Sequence, residues 1–309
     1  MSYRIGIDIG GTNLVVGLVD ENFAIVDEIS APTPASRNPN DVVEALIKLL
    51  EKMPCKDVST IGIGSPGVVD KPTGTMICDN TIDWNNFALG KIIAQAVGIP
   101  TFVDNDANCA ALGEYAADKT KGYSSMVFIT IGTGVGSGVI INDKLLTGAH
   151  YCAPEFGHTT YIAKGEPCNC GRTGCYECYA SFTALIRDAN RLADKSPECQ
   201  LAKLRSIAPL SGKQIFDCAH SGDETALELV AQFIDYIADG VVNLNNIFDP
   251  EVIVIGGGIA KQGDFVIKQV QAKLEKERFC KLQPMPLVKM AILGNDAGVI
   301  GAAMLPLYQ

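Results

Sequence analysis

Four residues with metal-binding side chains lie close together near the middle of the chain. His158 is followed by Cys168, Cys170 and Cys175, so that one imidazole and three thiols occur within 18 residues. Such a set fills the four positions of a closed zinc site, and the two glycines between the last two thiols allow the tight turn of a metal knuckle. The alternative is a group of reduced cysteines near an unrelated histidine. Ligand number and spacing favour a structural zinc knuckle at residues 158–175.

Two carboxylates flank this stretch. Glu155 lies three residues before His158, and Glu177 lies two residues after Cys175. A zinc knuckle needs neither carboxylate, but the metal would hold both in fixed positions, which is what a site for sugar hydroxyls requires. A single glutamate at either position is more often a solvated surface charge. The pair beside a metal therefore indicates a binding site for a polar small molecule.

The composition is that of a globular protein with an acidic balance. The chain has 309 residues, long enough for two domains, and 47% of them are hydrophobic against 19% charged. Lys and Arg number 25 against 35 Asp and Glu, which gives a net charge of −10. This charge argues against non-specific binding to nucleic acid or to anionic membranes. A polyanionic substrate can still bind through backbone amides.

The cysteines and the first residues indicate a cytoplasmic protein. Eleven cysteines are an odd number in a chain far longer than a small disulfide scaffold, so we expect mostly reduced thiols. Asp8 and Thr12 interrupt the opening residues, which lack the features of a signal peptide. No apolar run approaches the ~20 residues that span a bilayer.

A glycine turn follows the first predicted strand. The strand begins at Tyr3, Gly10-Gly11-Thr12-Asn13 forms the turn, and residues 14–20 form the returning strand. Backbone N–H groups of the turn and the Thr12 hydroxyl can bind a phosphate, and Asp8 directly before it can hold Mg²⁺. Taken alone, the turn is more often an ordinary hairpin.

A cluster of carboxylates and amides follows a later strand. Residues 104–108 read Asp-Asn-Asp-Ala-Asn, between a strand predicted at 99–103 and a helix. Ligands bind at the carboxyl ends of strands in α/β sheets. Asn105 can bond a hydroxyl group, and Asp106 can accept a proton. Helix capping by Asp104 or Asn105 accounts for one of these side chains, but not for two carboxylates and two amides in five residues.

A second strand–turn–strand unit repeats the layout of the first. Residues 125–131 form its first strand, Gly132-Thr133-Gly134 begins its turn, and residues 139–142 form the returning strand. The repetition predicts an internal repeat, whose two hairpins could hold a nucleotide's phosphates. Further on, a β-branched strand ends in Gly256-Gly257-Gly258, where a flat ring can lie against the backbone.

The region between these motifs is predicted mainly helical. Apolar periodicity predicts helices at 179–193, 223–248 and 265–279, whereas residues 195–209 are expected to be irregular. A last helix is predicted to begin at Asp296.

Together and in this order, the motifs resemble the ROK family of bacterial sugar kinases and repressors, specifically its glucokinase branch. The motifs are Asp8-Ile-Gly-Gly-Thr-Asn, Asn105-Asp106, Thr130-Ile-Gly-Thr-Gly, Glu155-Phe-Gly-His, the stretch Cys168 to Glu177 and the Gly256 triplet. The resemblance covers essentially the whole chain, and the metal stretch with its glutamates is the most specific part. Pro154 departs from the family, which usually has Gly before this glutamate, and leaves the exact sugar open.

The resemblance implies an α/β protein with the two-lobed, actin-like (ribonuclease H-like) ATPase fold and a zinc-binding insertion. The N-terminal lobe would comprise residues 1–117 plus 296–309, and the C-terminal lobe residues 118–295, with the zinc knuckle at 158–175. The family also implies a homodimer.

The resemblance further implies the roles of individual residues. Asp106 would be the catalytic base. The sugar would be bound by Gly67, Asn80, Asn105, Asp106, Glu155, His158 and Glu177. The ATP phosphates and Mg²⁺ would be bound by Asp8, Gly10, Gly11, Thr12, Asn13, Gly132, Thr133 and Gly134, and the adenosine by Gly257 and Gly258.

The implied activity is transfer of a phosphoryl group from ATP to a hexose, and to O6 if the sugar is glucose. The alternatives are a kinase for fructose, N-acetylmannosamine or N-acetylglucosamine, a sugar-responsive regulator, and a redox switch built on the cysteines. Regulators of the family carry an N-terminal helix-turn-helix segment, for which the position of Asp8 leaves no room. Closed zinc ligation would make the thiolates poor redox sensors.

We expect glucose to be preferred over N-acetyl sugars. Glu155 and Glu177 are expected to accept hydrogen bonds from hydroxyls on the C1–C2 side of the ring, and an acetamido group would leave a carboxylate unpaired. Tyr151 and Pro154 would also narrow the rim if they face the pocket.

Overall fold

Strands and helices are mixed along the chain, as predicted for an α/β protein. The structure is a computed structural model and describes residues 3–54, 57–79, 81–118 and 122–308. The strands of these residues are β1 (Tyr3–Ile9), β2 (Asn13–Val19), β3 (Ile25–Pro32), β4 (Val58–Ser65), β5 (Val68–Asp70), β6 (Thr75–Cys78), β7 (Asn85–Phe87), β8 (Thr101–Asn105), β9 (Met126–Ile131), β10 (Val135–Ile141), β11 (Lys144–Leu145), β12 (Val252–Gly257) and β13 (Leu287–Met290).

The α-helices range from a single turn to 25 residues. They are α1 (Pro39–Leu50), α2 (Leu89–Val97), α3 (Asp106–Asp118), α4 (Glu177–Ala180), α5 (Phe182–Lys195), α6 (Gln200–Arg205), α7 (Gly212–His220), α8 (Glu224–Phe248), α9 (Asp264–Glu277) and α10 (Asp296–Met304). Short 3₁₀ helices occur at Phe156–His158, Gly258–Gln262 and Leu305–Leu307.

Two five-stranded sheets have the same strand order. The first sheet has the order β3-β2-β1-β4-β8, with antiparallel pairing of β1, β2 and β3 and parallel pairing of β1, β4 and β8. The second has the order β11-β10-β9-β12-β13, with antiparallel β10 and β11 and parallel β12 and β13. When each sheet is numbered by its own strands, both read 3-2-1-4-5. This is the arrangement that the predicted internal repeat produces. The strands β5, β6 and β7 form a separate small sheet.

The parallel strands of the first sheet bring chemical groups to one edge. The register pairs Asp8 of β1 with Gly64 of β4, and Ser65 of β4 with Asn105 of β8. These residues lie at the carboxyl ends of their strands, where ligands of α/β proteins bind. The strands are fixed there because their apolar residues, such as Ile7 and Ile63, are completely buried.

Helix α10 packs against β1 and β4 at backbone distance. A β-carbon added to Gly6 would lie 1.9 Å from the carbonyl oxygen of Val299, and one added to Gly62 would lie 1.7 Å from that of Ala302. No side chain fits in so small a gap, so both strands need glycine where the helix crosses them. The last helix is therefore part of the first sheet's packing.

The chain divides into two compact units. The first unit comprises Met1–Phe128, Ser137–Pro154 and Ala291–Gln309, and the second comprises Ile129–Gly136 and Glu155–Met290. The lobe boundaries 1–117, 118–295 and 296–309 stay predictions. None of the helices in the described part of the chain has the length and apolar character of a bilayer-spanning segment.

Three predicted elements need correction. Strand β10 begins at Val135 rather than at 139, because its glycines are needed for close packing: a β-carbon on Gly138 would lie 2.4 Å from that of Ala111 in α3. The helix predicted at 179–193 is divided into α4 and α5 by Ser181, whose extended backbone and hydroxyl cap α5. The stretch 195–209 is not wholly irregular, because it contains α6.

Candidate functional site

The contacts at the start of α3 show what each of the clustered carboxylates and amides does. Asn105 caps the helix, since its Oδ1 accepts the N–H of Ala107 at 2.9 Å. Its Nδ2 donates to the carbonyl oxygen of Gly67 at 3.2 Å, which joins two residues that were predicted to bind the sugar. Asp104 is buried and pairs with Lys71. Asp106 shares the N–H of Ala107, at 2.9 Å from its Oδ1, but it forms no ion pair among the described residues.

Burial raises the pKa values of two aspartates in this region. It raises the pKa of Asp106, and the neighbouring Asp79 carboxylate acts in the same direction, against a backbone hydrogen bond from Ala107. Burial also raises the pKa of Asp8 to about 6, with a contribution from the charge of Asp106. A carboxylate with a raised pKa is a stronger proton acceptor than an ordinary aspartate, and several carboxylates together attract a cation.

The first glycine hairpin presents polar groups to solvent. The N–H of Gly10 donates to the carbonyl oxygen of Asn13 at 2.9 Å and closes the turn. The side chains of Thr12 and Asn13 are exposed. Thr33, directly after β3, donates its hydroxyl to the carbonyl oxygen of Gly10 at 2.6 Å. These hydrogen bonds hold the turn in place, and the hydroxyl of Thr12 and the side-chain amide of Asn13 face solvent, where a phosphate could bind.

The second glycine hairpin is also closed by one backbone hydrogen bond, which spans one residue fewer than in the first. The N–H of Gly132 donates to the carbonyl oxygen of Gly134 at 3.0 Å, and the side chain of Thr133 is exposed. The start of α5 holds this turn: Phe182 N–H donates to Gly132 at 2.9 Å, and the Thr183 hydroxyl donates to the Thr133 carbonyl at 2.6 Å.

The Gly256 triplet lies next to this hairpin. Gly257 has φ of 80°, and a β-carbon there would lie 2.4 Å from the carbonyl oxygen of Ile131, the last residue of β9. A β-carbon on Gly258 would lie 2.9 Å from the ring of Phe182. Both glycines are exposed, so they leave bare backbone beside the second hairpin, as a bound ring would require.

The four predicted metal ligands lie together. One ligand atom from each of His158, Cys168, Cys170 and Cys175 can be chosen so that all lie within 4.8 Å of one another. The sulfurs of Cys170 and Cys175 are 3.6 Å apart, and His158 Nδ1 lies 3.6 Å from the sulfur of Cys168. Zn–S bonds of about 2.3 Å in a tetrahedral site place neighbouring sulfurs roughly 3.8 Å apart, so the cluster has the right size for zinc.

Glu177 connects this metal cluster with the second hairpin. Its Oε1 lies 3.2 Å from the sulfur of Cys168 and 3.7 Å from His158 Nδ1, and its Oε2 accepts the N–H of Val135 at 3.4 Å. Nδ1 of His158 faces the cluster, which leaves Nε2 as the ring nitrogen available to another ligand.

Glu155 is placed by the 3₁₀ helix that carries His158. It directly precedes this helix, and its carbonyl oxygen accepts the N–H of His158 at 3.1 Å. The helix packs tightly against β10, because a β-carbon on Gly157 would lie 2.2 Å from the carbonyl oxygen of Val135. Glu155 is exposed.

The structure groups most of the predicted residues within one unit or the other. Asp8, the first hairpin, Gly67, Asn105 and Asp106 belong to the first unit, and the second hairpin, Glu155, Glu177, the metal cluster and the Gly256 triplet to the second. Asn80 lies outside the described residues. Tyr151 lines a cavity with Lys71 and Tyr308, so its proposed position at the sugar rim gains no support.

Sequence reasoning missed three residues that support these groups. Lys71, Asp79 and Thr183 carry no motif signal, and each acts through a contact between segments that are distant in the sequence.

Comparison with known proteins gives the same family along the whole chain. The family model described as "ROK family" matches residues 4–308. The glucokinase of Halalkalibacterium halodurans is 36% identical over 99% of this chain and 96% of its own length. The N-acetylmannosamine kinase of Salmonella typhi is 34% identical over 97% of both.

A solved structure extends the likeness to the fold. The ROK family glucokinase from Streptomyces griseus, determined in complex with glucose and AMPPNP, superposes with a TM-score of 0.85 at 35% identity, covering 98% of this chain and 99% of that one. The predicted fold class, an actin-like α/β ATPase fold, is confirmed. With a matching family model and relatives of this identity across the full length, the chain belongs to the ROK family.

Proposed function

We propose that this protein is an ATP-dependent hexose kinase, and specifically a glucokinase that phosphorylates glucose at O6. The observation that carries the proposal is the likeness, over 98% of the chain, to a glucokinase solved with glucose and an ATP analogue. The site supports it independently, because phosphoryl transfer needs a base, phosphate-binding turns and a rigid sugar site. Each of these has a counterpart among the residues described above.

Asp106 is the proposed general base. It accepts the proton of the sugar's O6 hydroxyl as that oxygen attacks the terminal phosphoryl group of ATP. Burial favours this role, because it raises the pKa of the carboxyl and makes the carboxylate a better acceptor. Asn105 and Gly67, joined by their hydrogen bond, orient the sugar beside the base.

The proposed ligands of ATP, which rest on the family resemblance, are the two hairpins and the glycine triplet. The exposed side chains of Thr12 and Asn13, with the backbone of Gly10 and Gly11, bind phosphate oxygens, and Gly132, Thr133 and Gly134 do the same in the second unit. Gly257 and Gly258 accommodate the adenosine. Asp8 would hold Mg²⁺, which neutralises charge on the phosphates; its carboxylate fits a cation because it is partly buried and is repelled by the carboxylate of Asp106.

Zinc is the proposed structural metal of the knuckle. His158, Cys168, Cys170 and Cys175 would hold it, and the spacing of their ligand atoms fits a tetrahedral ion. Burial raises the pKa of the Cys168 thiol to about 12, so metal binding has to displace a proton that the metal-free protein holds tightly. With Nδ1 on the metal, His158 can donate from Nε2 to a sugar hydroxyl, next to Glu155 and Glu177.

A kinase for N-acetylmannosamine is the second candidate. The relative with that name is 34% identical, close to the 36% of the glucokinase, and Pro154 alters the approach to Glu155.

The homodimer and the cytoplasmic location stay predictions from the family resemblance and the cysteine content.

A sugar panel separates these candidates. With ATP and Mg²⁺, we expect kcat/KM for glucose to exceed that for N-acetylglucosamine, N-acetylmannosamine and fructose by ~10-fold or more, because an acetamido group leaves a carboxylate of the site unpaired. NMR of the product should place the phosphate on O6. Equal kcat/KM for glucose and an N-acetyl sugar would refute the proposed specificity, and no transfer to any hexose would refute the kinase.

A further inference from the structure

A buried ion pair lies next to the proposed base. Lys71 Nζ is 2.8 Å from Oδ2 of Asp104, and the two side chains are only 11% and 4% exposed. Two charges are removed from water at considerable cost, and loss of either partner leaves the other unpaired. Such a pair constrains the segments that carry it much more than a surface ion pair does.

The other oxygen of Asp104 holds the strand-to-helix junction. Oδ1 accepts the backbone N–H of Asn105 at 2.7 Å and the side-chain amide of Asn108 at 3.0 Å. Asp106 lies between these two residues as the first residue of α3. The orientation of Asp104 therefore determines where Asn105 and Asp106 lie.

Lys71 also belongs to the segment that carries Gly67. This segment runs from the end of β4 to Lys71, directly after β5, and it meets the end of β8 at two points: the Lys71–Asp104 pair and the hydrogen bond from Asn105 to Gly67. Both contacts would be disturbed together if the ion pair were lost.

We propose that Lys71 and Asp104 are positioning residues for the sugar and the base, a role that rests on the proposed kinase function. The pair fixes Gly67, Asn105 and Asp106 relative to one another and touches no substrate itself. Its loss is expected to affect sugar binding and turnover together while leaving ATP binding unchanged, because no hydrogen bond or ion pair among the described residues joins either glycine hairpin to Lys71 or Asp104.

A neighbouring cavity makes the proposal testable by chemical rescue. Lys71 lines a cavity of about 550 Å³, together with Asp143, Lys144, Tyr151 and Tyr308. In a Lys71→Ala variant, a small alkylammonium ion can therefore enter from this cavity and pair with Asp104. A role in the overall fold alone gives no reason for catalysis to return with the added cation.

The experiment compares Lys71→Ala with Lys48→Ala, which removes the cation of an exposed ion pair with Glu44. We expect Lys71→Ala to lower kcat/KM for glucose by ~10-fold to ~100-fold, the scale of a small misplacement of reacting groups, with the KM for ATP unchanged. Ethylammonium should restore part of the loss, whereas Lys48→Ala should behave as wild type. Wild-type kinetics in Lys71→Ala, or a loss that also weakens ATP binding and resists ethylammonium, would overturn the proposal.

Trp84 provides a readout that is independent of turnover. It is the single tryptophan of the chain, it is buried, and its Nε1 donates to Ser65 Oγ at 3.0 Å, two residues before Gly67. We expect Lys71→Ala to shift Trp84 emission and ethylammonium to reverse the shift; unchanged emission contradicts the proposal. The emission test does not depend on catalysis. If the wild-type protein phosphorylates no hexose, that result refutes the kinase function and leaves the emission test valid.

Asp104→Asn is the second variant if Lys71→Ala does not fold. The amide oxygen can still accept from Asn105 and Asn108, but the charge that attracts Lys71 is lost. We expect the same loss in kcat/KM for glucose with unchanged KM for ATP, and wild-type values for both would overturn the proposal.

Discussion

The two glycine hairpins are each closed by one backbone hydrogen bond, but they are held by different parts of the chain. In the first, Thr33 donates its hydroxyl to the carbonyl oxygen of Gly10 and its N–H to that of Thr12, at 2.6 and 2.8 Å. Thr33 directly follows β3, a strand of the same sheet. The first hairpin is thus held by its own sheet.

In the second hairpin, the equivalent contacts come from outside the sheet. The Thr183 hydroxyl and the Phe182 N–H bond the carbonyl oxygens of the turn at 2.6 and 2.9 Å, and Glu177 accepts the N–H of Val135. These three residues follow the cysteines of the metal cluster in the sequence. The two hairpins therefore differ in their support: the second is held by the segment that follows the proposed zinc site, and the first is held by its own sheet.

The largest effect on kcat is expected from the loss of the proposed base, Asp106, which lies in the first unit. Asp106→Asn should lower kcat by ~10²-fold or more while glucose and ATP still bind, because the amide keeps the shape of the side chain but cannot accept the proton. No change of comparable size in kcat is expected from the metal region. Stopped assays of kcat with separate binding titrations measure this.

The pH profile and a surface variant control this result. Because burial raises the pKa of Asp106, wild-type kcat/KM should fall on the acid side at a higher pH than an ordinary aspartate gives, as the base becomes protonated. Asp106→Asn should lack this acid limb, and the exposed Asp27→Asn should retain it. Normal turnover in Asp106→Asn would place the base elsewhere.

Removal of the metal should have the next largest effect, and it should fall on the second unit. Elemental analysis should find about one zinc per chain, as one closed site implies. Chelation or Cys170→Ser should loosen residues 155–177 and raise the KM for glucose by ~10-fold or more, since ligands held by the metal lose their positions. Hydrogen exchange locates the loosened residues.

The exposed Cys280→Ser is the matched cysteine control and should leave glucose kinetics unchanged. Full activity in protein that contains no zinc would remove the metal from the explanation.

The smallest effects are expected on the KM for ATP, and they test the difference between the two hairpins directly. Thr33→Val and Thr183→Val each remove one hydroxyl donor from a hairpin carbonyl, and each should raise the KM for ATP by ~3-fold to ~10-fold, the worth of one hydrogen bond. The corresponding Ser variants keep the hydroxyl and should resemble wild type. After chelation, the effect of Thr183→Val should shrink and that of Thr33→Val should persist. Equal behaviour of both variants after chelation would show that the metal does not support the second hairpin.

Local motifs made much of the site predictable. The clustering of His158, Cys168, Cys170 and Cys175 was predicted from their spacing, because a knuckle brings together residues that are near in sequence. The repeat of strand, glycine turn and strand likewise led to two sheets of one strand order. Asn105 was correctly expected as a possible cap, but only the structure separates Asp104, which pairs with Lys71, from Asp106.

The contacts between distant segments were not predictable. Lys71 and Asp104 are separated by more than thirty residues, and Thr183 bonds Thr133 across fifty. Neither pair has a pattern in the sequence, because an ion pair or a hydrogen bond needs only one suitable residue at each end. The start of β10 was placed too late for a related reason: glycines were interpreted as turn residues, whereas packing against α3 requires one of them within the strand.

The backbone contact between α10 and the first sheet has a consequence for biosynthesis. The ribosome releases β1 and β4 early, but the helix that covers Gly6 and Gly62 is translated about 290 residues after β1. At ~5–20 residues per second, the face that carries both glycines stays uncovered for roughly 10–50 s after β4 has been translated. During that interval the nascent chain exposes an apolar, unfinished surface, so its yield in the cell depends on how well chaperones shield the sheet until the helix arrives.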